Sequence, residues 1–104
     1  MERSGERFTY EPEALMVRGQ ILLESGGDLD EAEAVLLRAH ALWERNQSPW
    51  MLVRAATLLG RLALKTGKGK AEAHERLARL YAGFDEGFET ARLQEARRVM
   101  DLLR

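Results

Sequence analysis

The sequence predicts an all-α fold of about five helices, and three observations support this prediction. Ala, Leu, Glu and Arg dominate the composition and favour helices, whereas β-branched residues are few. Apolar residues recur along most of the chain with the spacing of one face of a 3.6-residue helix. A chain of 104 residues has room for one hydrophobic core and not for a second. We therefore expect a single domain over residues 1–104.

Charge and cysteine content argue against several classes of function. The 16 Lys and Arg residues nearly balance the 17 Asp and Glu residues, so we expect neither nucleic acid nor a membrane as a partner. The absence of cysteine excludes thiolate zinc sites, disulfides and cysteine nucleophiles. The polar N-terminal residues do not resemble a secretory signal, and no apolar run reaches the roughly 20 residues of a membrane span. The sequence predicts a cytoplasmic protein without a cofactor.

Two helices are predicted in the first half of the chain. The first runs from about residue 12 to residue 25, where apolar side chains fall on one face, and Gly26 ends it. Asp28 precedes Glu31 by three residues, the spacing of a capping box, so a second helix begins there. Its apolar stripe comprises Leu29, Ala32, Leu36, Ala39 and Trp43.

Three further helices follow. Ser48 is an N-cap residue before a proline at the first helical position, which predicts a third helix to about Thr66. Its predicted buried face comprises Leu52, Ala55, Ala56, Leu59, Leu62 and Ala63. A fourth helix begins near residue 70, and Thr90 caps a fifth over about 90–103, on which Arg92 is predicted to face outward. The loop over 83–88 contains Phe84 and Phe88, which predicts that it packs against the helices.

An internal repeat relates the two halves of the helical pattern. Residues 19–26 recur as residues 60–67, with Gly19 aligned to Gly60 and Gly26 to Gly67. The Ala-Glu-Ala sequence at 32–34 recurs at 71–73, in the second helix of each pair. We therefore expect two helix-turn-helix units, over about 12–46 and 48–82, followed by the C-terminal helix.

The spacing of small and bulky residues in these units resembles the tetratricopeptide repeat. The matching residues are Gly19, Leu22, Ala32, Leu36 and Ala39 in the first unit, and Gly60, Ala63 and Gly67 in the second. This resemblance implies a right-handed helical-repeat array that binds proteins. The chain also resembles the C-terminal helical regions of large bacterial signalling proteins, in which an ATPase module is paired with an adenylate-cyclase or DNA-binding domain. That likeness is carried by Trp50, Arg54, Ala55, Ala56, Leu59 and the loop over 84–90. It implies a regulatory, protein-binding role and no catalytic residue.

The resemblance to tetratricopeptide repeats implies a partner-binding groove on the first helix of each unit. The candidate residues are Met16, Gln20, Trp50, Arg54, Thr57, Arg61 and Lys65. Arg54, Arg61 and Lys65 form a basic strip on one helical face, which favours an acidic peptide or a carboxylate terminus. The alternative is that this strip pairs internally, with Glu13 and Glu24 of the first helix, or is solvated. Trp50 is either a partly exposed anchor for a partner or part of the core.

Other classes of site receive less support. His40 and His74 have no second ligand at metal spacing, so no metal site is predicted. The Gly-Lys-Gly-Lys turn at 67–70 lacks the spacing of a phosphate-binding loop. We expect a non-enzymatic interaction module that binds a protein or peptide. We also expect a homodimer, because Val17, Ile21 and Leu37 are apolar and lie off the main stripes. The alternative is a small regulator that binds an anionic ligand through the basic strip.

Overall fold

All regular secondary structure in the described part of the chain is helical. The computed structural model describes residues 4–104, with side chains from Glu11 onward. Its helices are α1 (Ser4–Ser25), α2 (Leu29–Arg45), α3 (Pro49–Thr66), α4 (Lys70–Ala82) and α5 (Ala91–Leu103). The predicted all-α fold of about five helices is confirmed. Within residues 4–104, no helix combines the length and apolar character needed to cross a membrane.

Local signals explain where α2 and α3 begin. The Asp28 carboxylate accepts hydrogen bonds from the backbone N–H groups of Asp30 and Glu31, at 3.0 and 3.2 Å, and so caps α2. The Glu31 side chain forms an ion pair with Arg18 of α1. Ser48 precedes α3 in an extended conformation, but its side chain makes no capping hydrogen bond. The start of α3 therefore depends on the proline that follows, whose fixed φ suits the first helical position.

The predicted start of α1 is wrong. The helix begins at Ser4, so Pro12 lies inside it, and the Pro12 side chain is fully buried. Proline at this place removes one backbone hydrogen bond of the helix. The burial of its ring stabilises the helix through contacts that the sequence pattern does not reveal. The end of α1 is as predicted, since Gly26 adopts a left-handed conformation with φ of 75°.

Helix α3 is the central element of the fold. It packs against α2, α4 and α5, whereas α1 packs mainly on α2 and touches α3 at few places. Because several neighbours surround α3, its buried residues do not form one stripe: Val53, Thr57 and Leu58 are buried in addition to most of the predicted face. Leu52, predicted to be buried, is only partly so. The periodicity located the helix correctly, but the prediction of a single apolar face underestimated how many of its residues are buried.

The two glycines that the repeat aligns have different neighbours. A Cβ atom at Gly19 would lie 2.5 Å from Cγ of Leu36, so this glycine permits α1 to approach α2 closely. A Cβ atom at Gly60 would lie 2.7 Å from Cγ1 of Val99, so that glycine permits α3 to approach α5. The two helix pairs are therefore similar in sequence at these positions but are packed differently.

The loop between α4 and α5 packs against the helices, as predicted. The rings of Trp50 and Phe84 are 5.1 Å apart, and those of Tyr81 and Phe88 are 5.4 Å apart. Such tilted aromatic pairs stabilise a fold beyond the area they bury. The loop thus joins the N-terminus of α3 to the C-terminus of α4. Phe88 keeps 39% of its surface exposed and Trp50 keeps 40%.

Candidate functional site

Helices α1, α3 and α5 border a groove with a volume of about 360 Å³. Four of the predicted partner-binding residues line it, together with residues of α5 that were not predicted. The lining residues are Gln20, Arg54, Thr57, Leu58, Arg61, Ala91, Arg92 and Glu95. A volume of this size lies within the range of ligand pockets.

Arg54 and Arg92 form the cationic end of this groove. Among residues 11–104, no carboxylate forms an ion pair with either guanidinium. Burial lowers the pKa of Arg92, and the positive charge of Arg54 lowers it further. The guanidinium carbon of Arg92 also lies 5.5 Å from the centre of the Trp50 ring, within reach of a cation–π interaction. Arg92 thus lies beside an exposed aromatic ring, in the groove that Arg54 also lines.

The rest of the predicted basic strip is engaged within the protein. Arg61 lies 3.6 Å from Glu24 of α1 and 3.9 Å from Glu95 of α5, so it links three helices. The Lys65 ammonium donates a 2.8 Å hydrogen bond to the carbonyl oxygen of Leu23 near the end of α1. Internal pairing therefore describes Arg61 and Lys65, although Glu24 pairs with Arg61 and not with Lys65.

Three other predicted partner-binding residues make contacts within the protein. Met16 has no exposed surface, and its sulfur accepts a hydrogen bond from Nε1 of Trp43 at 2.9 Å. Met16 is therefore a core residue and is not accessible to a partner. The alignment of the two repeats wrongly placed it on the partner-binding face of α1. Thr57 keeps 6% of its surface exposed at the floor of the groove, and its hydroxyl donates to the carbonyl of Val53. Gln20 lines the wall and donates to Glu24.

Arg92 was predicted to face outward, and that prediction is wrong. Its side chain is partly buried in the groove. A signal for this placement is present in the sequence: Arg92 precedes Ala96 by four residues and Val99 by seven, so it lies in line with the buried stripe of α5. Because Arg92 is charged, we predicted it to be exposed despite its position in line with these buried residues. Glu95, which contacts both Arg61 and Arg98, was missed for the same reason.

His40 differs in its surroundings from an ordinary surface histidine. Its Nε2 atom is buried without a hydrogen-bond partner among the described residues, and Nδ1 lies 3.9 Å from Glu44. Burial lowers the pKa of His40; the charge of Glu44 opposes this effect and that of Arg76 adds to it. Over residues 11–104, no cluster of three or more His, Asp or Glu side chains is arranged to hold a metal ion.

A second cleft, of about 390 Å³, lies between α2, α3 and α4. Its rim carries charges of both signs, from Asp30, Glu33 and Glu72 and from Lys68 and Arg76. Leu37 of α2 also lines this cleft and exposes 41% of its surface, so it is an exposed apolar residue as predicted. The mixed rim favours no single class of charged ligand, whereas the first groove has a cationic end.

Comparison with known proteins identifies no relative. A scan against protein-family models finds no match, and searches of curated proteins and of solved structures find none either.

Proposed function

We propose that this chain is a non-enzymatic, cytoplasmic protein-interaction module that binds an acidic peptide segment in the groove between α1, α3 and α5. The observation that supports it is that two guanidinium groups, those of Arg54 and Arg92, line this groove without a carboxylate partner among the described residues. The resemblance to tetratricopeptide repeats and to bacterial signalling proteins suggests a regulatory or scaffolding role in a larger assembly.

The electrostatics of the groove favour an anionic partner. Two neighbouring cations repel each other, and partial burial weakens the solvation of Arg92. A carboxylate placed between them offsets this repulsion and accepts charge-assisted hydrogen bonds from both guanidinium groups. The exposed Trp50 ring beside Arg92 adds an apolar surface for the rest of the segment.

Binding is a better proposal than catalysis for this groove. Thr57 supplies the only hydroxyl among the described lining residues, and its proton is donated to a backbone carbonyl. Glu95 is engaged with Arg61 and Arg98, so it is a poor general base. These positions offer no activated nucleophile with an adjacent base.

A small anionic ligand is the alternative occupant. Because Arg61 and Lys65 have internal partners, such a ligand would use Arg54 and Arg92 in place of the predicted strip. A compact anion such as pyrophosphate would satisfy both guanidinium groups without contacting Trp50. Separate measurements of pyrophosphate binding and of peptide binding to the same protein therefore distinguish the two occupants.

Selection from a random peptide library tests the proposal. We expect enrichment of peptides with Asp or Glu, and fluorescence anisotropy should show at least tenfold weaker binding of a selected peptide to Arg54→Ala and to Arg92→Ala. Arg79→Ala is the matched control, because Arg79 is exposed on α4 and paired with Glu75. A library that enriches no acidic residue, or equal binding by the groove variants and the control, would contradict the proposal. Tight pyrophosphate binding without peptide binding would favour the small-ligand alternative.

Self-association through α1 is a second candidate function. Val17 and Ile21 lie one turn apart on α1 and expose 47% and 58% of their surfaces, which is unusual for apolar β-branched residues. We propose a homodimer through this face. Light scattering coupled to gel filtration should give a dimer for the natural sequence and a monomer for Ile21→Lys. Leu37→Lys is the control, since Leu37 lies in the other cleft; a monomer for the natural sequence at high concentration would refute the dimer.

A further inference from the structure

The groove continues into a second hollow between α3 and α5, of about 390 Å³. Its apolar surface comes from Leu64, Val99 and Leu102. Val99 is buried, Leu64 is partly buried, and Leu102 exposes 61% of its surface, the largest exposure of any large apolar residue among those described. An apolar hollow with one such exposed side chain is suited to receive another apolar side chain.

The charges around this hollow are already engaged. Arg98 lies 3.8 Å from Glu95, and the Lys65 ammonium is bonded to the α1 carbonyl. A charged ligand group therefore gains less here than beside Arg54 and Arg92. The two hollows differ in chemistry: the first is cationic at one end, and the second offers mainly apolar contact.

An ion pair marks the boundary between the hollows. Arg61 and Glu95 line both of them, and their charged atoms lie 3.9 Å apart. Leu64 follows Arg54 by ten residues on α3, and Leu102 follows Arg92 by ten residues on α5. At about 1.5 Å per helical residue, each separation is about 15 Å. An extended peptide covers that distance in about four or five residues.

We propose that the groove recognises a bipartite extended segment, with a carboxylate between Arg54 and Arg92 and a large apolar side chain four or five residues away against Leu102. This inference rests on the proposed peptide-binding function and specifies the partner of the same site. The two arginines select segments that carry a carboxylate. Among these segments, the apolar hollow selects those with a large apolar side chain four or five residues from the carboxylate. Leu102 is the specificity-determining residue, because it is the exposed member of the hollow.

Binding of three labelled peptides, which differ in the spacing or in the identity of the apolar residue, tests this inference. One peptide carries Glu and Leu five positions apart, a second places them adjacent, and a third replaces Leu by Ser. We expect the first to bind about tenfold more tightly than the others. Leu102→Ser should abolish this preference, whereas Arg92→Ala should weaken all three peptides. Leu37→Ser is the matched control, since it removes an exposed apolar side chain from α2, outside the groove and the second hollow.

The outcomes separate the two proposals. Loss of binding in Arg92→Ala without any spacing preference overturns the bipartite segment and leaves the acidic-peptide groove intact. Absence of binding by all three peptides, together with a library that enriches no acidic sequence, overturns both. A change of oligomeric state in Leu102→Ser, measured by light scattering, would assign the second hollow to contact with another copy and would also overturn the bipartite segment.

Discussion

Gly19→Ala tests the close approach of α1 and α2. The new Cβ would lie 2.5 Å from Cγ and 2.6 Å from Cδ2 of Leu36, a fully buried side chain. Because carbon atoms normally pack at about 3.5–4.0 Å, the helices must separate by about 1 Å or Leu36 must change rotamer. Overpacking of this kind costs about 1–3 kcal/mol, while the better helix propensity of alanine returns about 1 kcal/mol. The difference of these two terms predicts that the free energy of unfolding falls by up to about 2 kcal/mol.

A double-mutant cycle separates the steric effect from helix propensity. Leu36→Ala alone leaves a cavity and should cost about 2–5 kcal/mol. In that background the alanine at position 19 meets no leucine, so it should stabilise the protein by about 1 kcal/mol. Urea denaturation followed by circular dichroism measures all four proteins. If Gly19→Ala stabilises the protein as much when Leu36 is present as it does in the Leu36→Ala background, the steric argument is refuted.

Three further changes test single contacts by the same denaturation assay. Asp28→Ala should lower the free energy of unfolding by about 1 kcal/mol, because the Asp28 carboxylate caps α2. Ser48→Ala should lower it much less, since the Ser48 side chain makes no capping hydrogen bond. Equal losses in the two variants would contradict the capping role of Asp28. Lys65→Ala should cost about 1 kcal/mol through the lost hydrogen bond to α1, and Lys68→Ala, on an exposed turn, is its control. Burial holds the pKa of His40 below the unfolded value of 6.5, so its contribution to stability is present above pH 6.5 and decreases as the pH falls towards the folded pKa. His40→Gln should flatten this pH dependence below pH 6.5, and an unchanged slope would show that other groups cause it.

The ends of most helices were predictable because their causes are local. Asp28 accepts hydrogen bonds from residues two and three positions further along the chain. Gly67 supplies the left-handed residue at the end of α3, with φ of 76°. Such signals depend on a few neighbouring residues and are legible in the sequence. The start of α1 was not predictable in this way, because Pro12 is accommodated by tertiary burial of its ring.

The candidate site was only partly predictable because it joins distant parts of the chain. Periodicity placed Arg54, Thr57 and Arg61 on one face of α3, and they do line the groove. It could not show that Arg61 finds carboxylates on two other helices. For Met16, periodicity correctly indicated the apolar stripe of α1, whereas the repeat register wrongly assigned this buried residue to the groove. Helical spacing specifies which residues share a face, but the element that covers this face is chosen by packing.

The sequence by itself determined the helical fold, four of the five helix starts and the basic residues of α3. Only the tertiary structure decided which of these cations form ion pairs or hydrogen bonds within residues 11–104. Packing of α5 against α3 places Arg92 in the groove that Arg54 lines, where their charges interact, and it places Leu102 in the neighbouring hollow. The physical reason is range: capping and periodicity act over a few residues, whereas charge pairing and burial depend on surfaces that meet only after the helices have packed.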